Sequence, residues 1–344
     1  MRFSNSLIQW YLINKRDLPW RNTTNPYLIW LSEIMLQQTR VAQGTPYFLS
    51  FVDAFPTVFD LAKADEEQVL KLWQGLGYYS RARNLHKTAQ YVATELNGVF
   101  PNNYNDLLGL KGVGEYTAAA IASFSYEEAV PVVDGNVFRV LSRYFDLETD
   151  IALASAKKEF AALAFELMPK DNPATFNQAI MEFGALQCVP KSPNCGVCLF
   201  NDSCAALQKK KVDQLPVKSK KIKVRNRYFN YLVVSDDNED TIVQKRTSKG
   251  IWQNLYEFPL IETEAVESFD YIVERIEKEF FVNETIENVM EYNEKSIIHK
   301  LSHQHLHIKF WKVNIKGIIE NGTDAATLRT FPFPIVIHNF IEKE

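Results

Sequence analysis

Four cysteines, Cys188, Cys195, Cys198 and Cys204, fall within seventeen consecutive positions in the spacing C-x6-C-x2-C-x5-C. Four thiolates complete the coordination of a cubane iron–sulfur cluster, and a tetrahedral zinc takes the same donor set, so spacing alone leaves both metals open. Disulfides are the weaker reading for cysteines confined to one short stretch. A second chemical candidate is Glu33, in Ile29-Trp30-Leu31-Ser32-Glu33-Ile34-Met35-Leu36, a mainly apolar helical run. An acid desolvated there has its pKa raised and is poised to give up a proton near neutral pH. The plain alternative is a glutamate on a helix surface. Asp134, in Val133-Asp134-Gly135-Asn136-Val137, is equally a candidate second carboxylate and a helix cap, and one residue can serve both ends.

A helical region has to hold these groups. From Asn5 to about Leu207, apolar residues recur at three- and four-residue spacing, broken at Pro19, Pro46, Pro56, Pro101, Pro131 and Pro173. Between two such segments, near Tyr104–Leu110 and Tyr116–Phe124, lies Leu110-Lys111-Gly112-Val113-Gly114. Its two glycines permit a tight turn whose backbone N–H groups, with the dipole of the next helix, favour an anion such as phosphate. A plain helix–helix connection is the competing reading.

After the cysteines comes a basic run, Lys209-Lys210-Lys211 and then Lys218, Lys220, Lys221, Lys223, Arg225 and Arg227, which reads as a linker over 208–227. Beyond Tyr228 the texture changes to β-branched and aromatic runs, Tyr228–Ser235, Thr241–Arg246, Ser296–Leu301 and His305–Ile315, with a helix near Phe269–Phe280. The expected division is therefore 1–207, mostly α; 208–227, linker; and 228–344, α+β. Bulk properties are permissive: 344 residues, 46% apolar, give ample core, while a net charge of −4 says nothing about a nucleic-acid partner. No apolar run is long enough to span a membrane, and Gln9, Asn14, Lys15 and Arg16 interrupt any signal-like start, so a cytoplasmic protein is expected.

Taken together, the motifs resemble the helix-hairpin-helix DNA glycosylases, and within them the MutY family of adenine glycosylases. The likeness rests on Leu18-Pro19-Trp20-Arg21, Asn25-Pro26-Tyr27, Glu33 through Val41, the glycine turn, the Asp134 segment and the cysteine spacing. It implies a helix-hairpin-helix core with a [4Fe–4S] loop over 188–204, held by Cys188, Cys195, Cys198 and Cys204. In that family the glutamate matching Glu33 protonates adenine at N7, the aspartate matching Asp134 stabilises the sugar cation, and Asn136 supports the acids. Breaking an N-glycosidic bond needs such a pair, a proton for the leaving base and an anion for the oxocarbenium-like sugar. Endonuclease III relatives carry a Schiff-base lysine where this chain has Tyr116, so the resemblance implies base release without efficient strand cleavage, with Tyr116 supporting the intermediate.

The partner so implied is duplex DNA with adenine opposite 8-oxoguanine or guanine, met by a monomer on the nucleoid. Extruding a base leaves a gap that must be filled. Gln38 and Thr39, and Leu76 and Tyr78 in Gly75-Leu76-Gly77-Tyr78-Tyr79, match the family's wedge loops; Gly112 and Gly114 with Lys191 would meet phosphates. Arg21 and Gln178 would face the DNA or the adenine, although some members carry Glu at the latter position. The C-terminal part resembles the MutT-like (Nudix-like) domain of MutY without its magnesium-binding hydrolase box. There Ser302 and His303 match lesion contacts, while Leu301 stands where the family usually has Phe. His299, His303, His305 and His307 read as alternation on a strand rather than a metal site. Two other readings compete, an endonuclease III-like glycosylase/lyase and a non-catalytic DNA-binding protein.

Overall fold

The computed structural model describes residues 2–219, 223–281 and 284–344. In chain order its helices are α1 (Arg2–Asn14), α2 (Pro26–Leu36), α3 (Val41–Ala54), α4 (Val58–Lys63), α5 (Glu66–Leu72), α6 (Ser80–Thr94), α7 (Tyr104–Leu108), α8 (Glu115–Tyr126), α9 (Gly135–Phe145), α10 (Ala154–Leu167), α11 (Pro173–Leu186), α12 (Ala205–Gln208), α13 (Phe269–Glu279), α14 (Ala325–Leu328) and α15 (Ile335–Ile341). The strands are β1 (Arg225–Ser235), β2 (Gln244–Lys245), β3 (Tyr256–Glu257), β4 (Leu260–Thr263), β5 (Thr285–Glu291), β6 (Ile297–Lys300) and β7 (Gln304–Lys316). No helix among the described residues is long and apolar enough to cross a membrane.

The chain forms two compact units, one of Met1–Lys63 with Asn84–Lys220 and one of Ala64–Arg83 with Lys221–Glu344. The division departs from the expected one at two places. Residues 64–83 join the second unit, because Glu67 accepts from Lys245 and from the Tyr256 hydroxyl, and Lys71 donates to the carbonyls of Arg329 and Phe331. The basic stretch is also not a free tether along its described length. Leu215 is buried, Lys209 and Lys211 pair with Asp146, the Ile151 N–H donates to the Val217 carbonyl, and β1 already begins at Arg225. Lys220 and Lys221 lie outside the described residues.

In the first unit the core is assembled from α1, α9, α10 and α11. Phe3, Leu7 and Tyr11 on α1 recur at helical spacing and pack with Val137, Leu141, Phe160, Phe176, Ile180 and Phe183. Nearby α2 is apolar almost all round, with Trp30, Leu31 and Met35 wholly buried, and it packs on α8, whose Ala118 to Ala122 run admits close approach. Asn25 caps α2 and Pro26 starts it, which fixes where Glu33 emerges two turns later.

In the second unit the sheet order is β4-β1-β7-β5, with β6 also on β7; β1 and β7 are parallel and the remaining pairs antiparallel. Residues of β1 alternate between two cores. Leu232 and Val234 pack with Ile272 and Ile276 of α13, and Tyr231 stacks on Phe310, which stacks on Phe340 of α15. Strands β3, β4 and β5 lie outside the expected runs; they are short or carry exposed charge, so their alternation is faint in sequence.

The wholly buried Phe160 gives a measurable weight to the first core. Phe160→Ala is expected to cost about 3–5 kcal/mol, from lost transfer energy and an unfilled cavity, read as a lowered denaturant midpoint at unchanged slope.

Candidate active site

α2, α8, α9 and α11 surround a cavity of about 190 Å³ whose polar lining includes Glu33, Tyr116, Asp134, Asn136, Arg21 and Gln178. With Thr39 at the rim, seven of the residues singled out from sequence, scattered over some 160 positions, therefore meet in one place. Glu33 is only 7% exposed. Burial is the largest influence on it and pushes its carboxyl up to about 7; the nearby Asp134 charge adds to this, while the hydrogen bond from Tyr116 and the Arg21 charge oppose it. Tyr116 is half-buried, and desolvation together with the charges of Glu33 and Asp134 drives its hydroxyl well above its ordinary range, so it stays neutral and keeps its proton to donate.

Asp134 both caps and faces the cavity. Its Oδ1 accepts from the Asn136 and Val137 N–H groups at 2.8 Å each, and its Oδ2 from Asn136 Nδ2 at 2.7 Å. Burial raises its pKa, and these three donors act against that rise by favouring the anion. Gly184 is what lets α11 approach: a Cβ there would stand 2.6 Å from the Asn136 Cβ and 3.0 Å from its carbonyl oxygen. The position tolerates no side chain without moving the Asp134 cap.

Sequence reading missed the group that holds Arg21. Glu182 is buried and receives both Arg16 and Arg21: Arg16 Nε at 2.8 Å and Nη2 at 2.6 Å, Arg21 Nη1 at 2.8 Å and Nη2 at 2.6 Å. Burial would raise the Glu182 carboxyl, but the two guanidinium groups overrule it and hold it at about 2. Arg21, expected to face the DNA or the adenine, lines the cavity with its guanidinium bound to a carboxylate. A Glu four residues after Gln178 on α11 was the available signal, but only the fold shows its partners.

The hairpin forms as expected, with Gly112 at φ 77° and Gly114 as N-cap of α8. A Cβ at Gly112 would lie 2.8 Å from that of Asn84. Lys111, Gly112 and Gly114 are exposed at the open start of α8, where backbone N–H groups suit an anion. Gln38 is exposed at φ 56° just past α2, and Thr39 lines the cavity rim.

All four cysteines line one small cavity walled by Val140, Phe183, Phe200 and Leu207. Two arginines on α9 tie this loop down, another feature sequence reading missed. Arg139 donates to the Asn136 Oδ1, the Gly184 carbonyl and the Cys188 carbonyl; Arg143 donates to the carbonyls of Val189, Pro190 and Leu215. Lys191 is exposed on the same loop, beside Ser192 at φ 47°. Among the described residues no His, Cys, Asp and Glu side chains are gathered in the geometry of a metal-ion site. Burial raises the thiols of Cys195, Cys198 and Cys204, Cys198 to about 11, so they would bind as thiolates only against a strong cationic partner.

In the second unit the turn Gly75–Gly77 projects Tyr78, 47% exposed at φ 49°, while Tyr79 is buried. The two adjacent tyrosines thus divide between surface and core. Leu76, expected to wedge into DNA, is only 4% exposed because its apolar side chain is turned inward; Tyr78 is the displayed residue. The Tyr78 hydroxyl bonds the Ser302 hydroxyl, and Ser302 and His303 are exposed in the turn between β6 and β7, closed by Leu301 N–H on the Gln304 carbonyl. His307 on β7 stacks on Tyr228, and His299 on β6 lies against Trp252.

Residues 31–169 match the profile of the HhH-GPD superfamily of base excision DNA repair proteins, and residues 230–343 that of the NUDIX domain. An adenine DNA glycosylase of Buchnera aphidicola subsp. Schizaphis graminum (strain Sg) is 36% identical over 309 residues, covering 89% of this chain and 86% of that protein. This chain belongs to the adenine DNA glycosylase family. The Homo sapiens adenine DNA glycosylase is 43% identical over 222 residues, 62% of this chain and 41% of its own. A thermostable thymine-DNA glycosylase superimposes with a TM-score of 0.55 at 29% identity, covering 60% of this chain and 95% of its own. A trapped endonuclease III–DNA covalent intermediate gives 0.53 at 22% identity, covering 60% and 94%, a likeness of fold alone. The enzyme is therefore a DNA glycosylase that releases adenine in base excision repair.

The raised Glu33 pKa makes a stability prediction. The folded protein holds a proton there that the unfolded chain releases near pH 4.5, so stability falls as pH rises from that value through about 7. Glu33→Gln should raise the unfolding midpoint at pH 8 and change it little at pH 5. Equal shifts at both values would show a carboxyl that ionises freely.

Proposed function

We propose that this glycosylase removes adenine paired with 8-oxoguanine, and with guanine, by monofunctional hydrolysis of the N-glycosidic bond, acting as a monomer. The observation carrying the reading is the buried Glu33, its pKa lifted to about 7, beside Asp134 in one cavity. Glu33 gives its proton to N7 of the flipped adenine, and the C1′–N9 bond breaks with its electrons going to the base. Asp134 stabilises the sugar cation left behind, with Tyr116 donating to Glu33 throughout. The Glu33 carboxylate then takes a proton from the water that attacks C1′, which restores the acid and leaves an abasic site. No amine occupies position 116, so no imine to the sugar forms there.

Gln38 and Thr39 would fill the gap left by the base, and Gly112, Gly114 and Lys191 would meet phosphates. Tyr78, Ser302 and His303 would read the purine opposite. Cys188, Cys195, Cys198 and Cys204 fit a [4Fe–4S] cluster: all four line one small, mainly apolar cavity, with Arg143 Nη1 3.5 Å from the Cys188 sulfur to offset thiolate charge. When bound, the cluster would cross-link the loop that carries Lys191.

Single-turnover release from a duplex with one adenine opposite 8-oxoguanine tests the chemistry. Wild type should free adenine and break strands only after alkali, and Glu33→Gln should lose at least about a hundredfold. Strand breaks without alkali, or full activity in Glu33→Gln, would overturn the mechanism. For the cluster, wild type should carry four iron and four sulfide per chain, roughly, and Cys198→Ser should lose them and bind duplex DNA more weakly. Zinc in place of iron would overturn that assignment.

A further inference from the structure

Tyr11 on α1 is buried, and its hydroxyl donates to Gln178 Oε1 at 2.5 Å. This is the hydrogen bond of that phenol among the described residues. A buried O–H needs an acceptor for its proton. Only the carbonyl end of an amide accepts; with the amide turned over, Nε2 would donate to the phenol oxygen and the buried phenol proton would lose its acceptor among the described residues. The phenol therefore selects one of the two amide orientations.

The tyrosine is itself held in place. The Arg21 guanidinium lies 5.8 Å from its ring centroid, and Arg21 is clamped by Glu182. Gln178 stands on the face of α11 that lines the cavity, with Met181, Glu182 and Ala185. No acceptor among the described residues engages its Nε2.

We propose that Tyr11 is a positioning residue: it locks the Gln178 amide so that the NH2 group is the free end shown to the flipped base. The inference rests on reading the cavity as the base pocket. A locked amide presents its donor and its remaining oxygen lone pair in one fixed order, which suits a ring-nitrogen acceptor beside an amino donor, the arrangement on adenine's edges. Guanine presents a carbonyl oxygen where adenine has the amino group, and so mismatches that order.

The test is single-turnover adenine release and duplex affinity in Tyr11→Phe, Gln178→Met and the double variant. Tyr11→Phe should slow release about tenfold, the scale of one hydrogen bond, with duplex Kd and unfolding midpoint near wild type. The double variant should be no slower than Gln178→Met alone. An unchanged rate in Tyr11→Phe, or the same loss in both Gln178 backgrounds, would overturn the lock and leave Tyr11 a packing residue. Full release by Glu33→Gln would instead overturn the pocket reading on which the lock depends.

Discussion

A carboxyl group kept out of water is the constraint on which the first unit depends. Glu33 sits two turns into a helix buried on nearly every side, hydrogen-bonded by the Tyr116 hydroxyl, and the nearby Arg21 charge, itself clamped by Glu182, only partly offsets its burial. Burying an acid in this way is unfavourable to the fold when the acid ionises. The surrounding core of Trp30, Leu31 and Met35 has to offset that cost. In return the group holds a proton near neutral pH, which a solvated glutamate would have released.

α11 is the element that connects this acid to the rest of the unit. One face lines the cavity through Gln178, Met181 and Ala185, and Glu182 on it gathers two arginines. Its Gly184 lets the Asp134 cap approach, and its C-terminal end leads directly into Cys188. Arg139 then bonds groups at both ends of that path, the Asn136 side chain and the Cys188 carbonyl. The acid pair and the cysteine loop therefore share one support and are joined by a short chain of hydrogen bonds.

The second unit follows a different physical plan. The middle of its sheet, β1 and β7, is packed on both faces, and its polar groups of interest are carried on turns, at Tyr78 and at Ser302 and His303. A buried pair, Arg246 and Glu257, with the Tyr231 hydroxyl on the same carboxylate, supports the segment 247–254 by bonds from Arg246 Nε to the Ile251 carbonyl and from the Asn254 N–H to the Arg246 carbonyl. Rigid strands with displayed turns are the usual way to present adaptable contacts on a fixed frame.

Local chemistry let the sequence determine a good deal. The helical periodicity before Leu207, the change of texture at Tyr228, the glycine turn, the cysteine spacing and the acid in an apolar helix are properties of neighbouring residues, so a reading along the chain finds them. Tertiary structure decided what depends on distant partners. Glu182 is an ordinary helix glutamate until Arg16 and Arg21 arrive from some 160 residues away. Leu76 and Tyr78 are both large and flank one glycine, yet one is inward and one outward, because that is set by the surface the loop packs on. Residues 64–83 belong with strands more than 150 positions later through bonds such as Glu67 to Lys245. Periodicity and motif spacing encode what a residue can do; which partner it meets is fixed only when burial and close approach bring separate segments together.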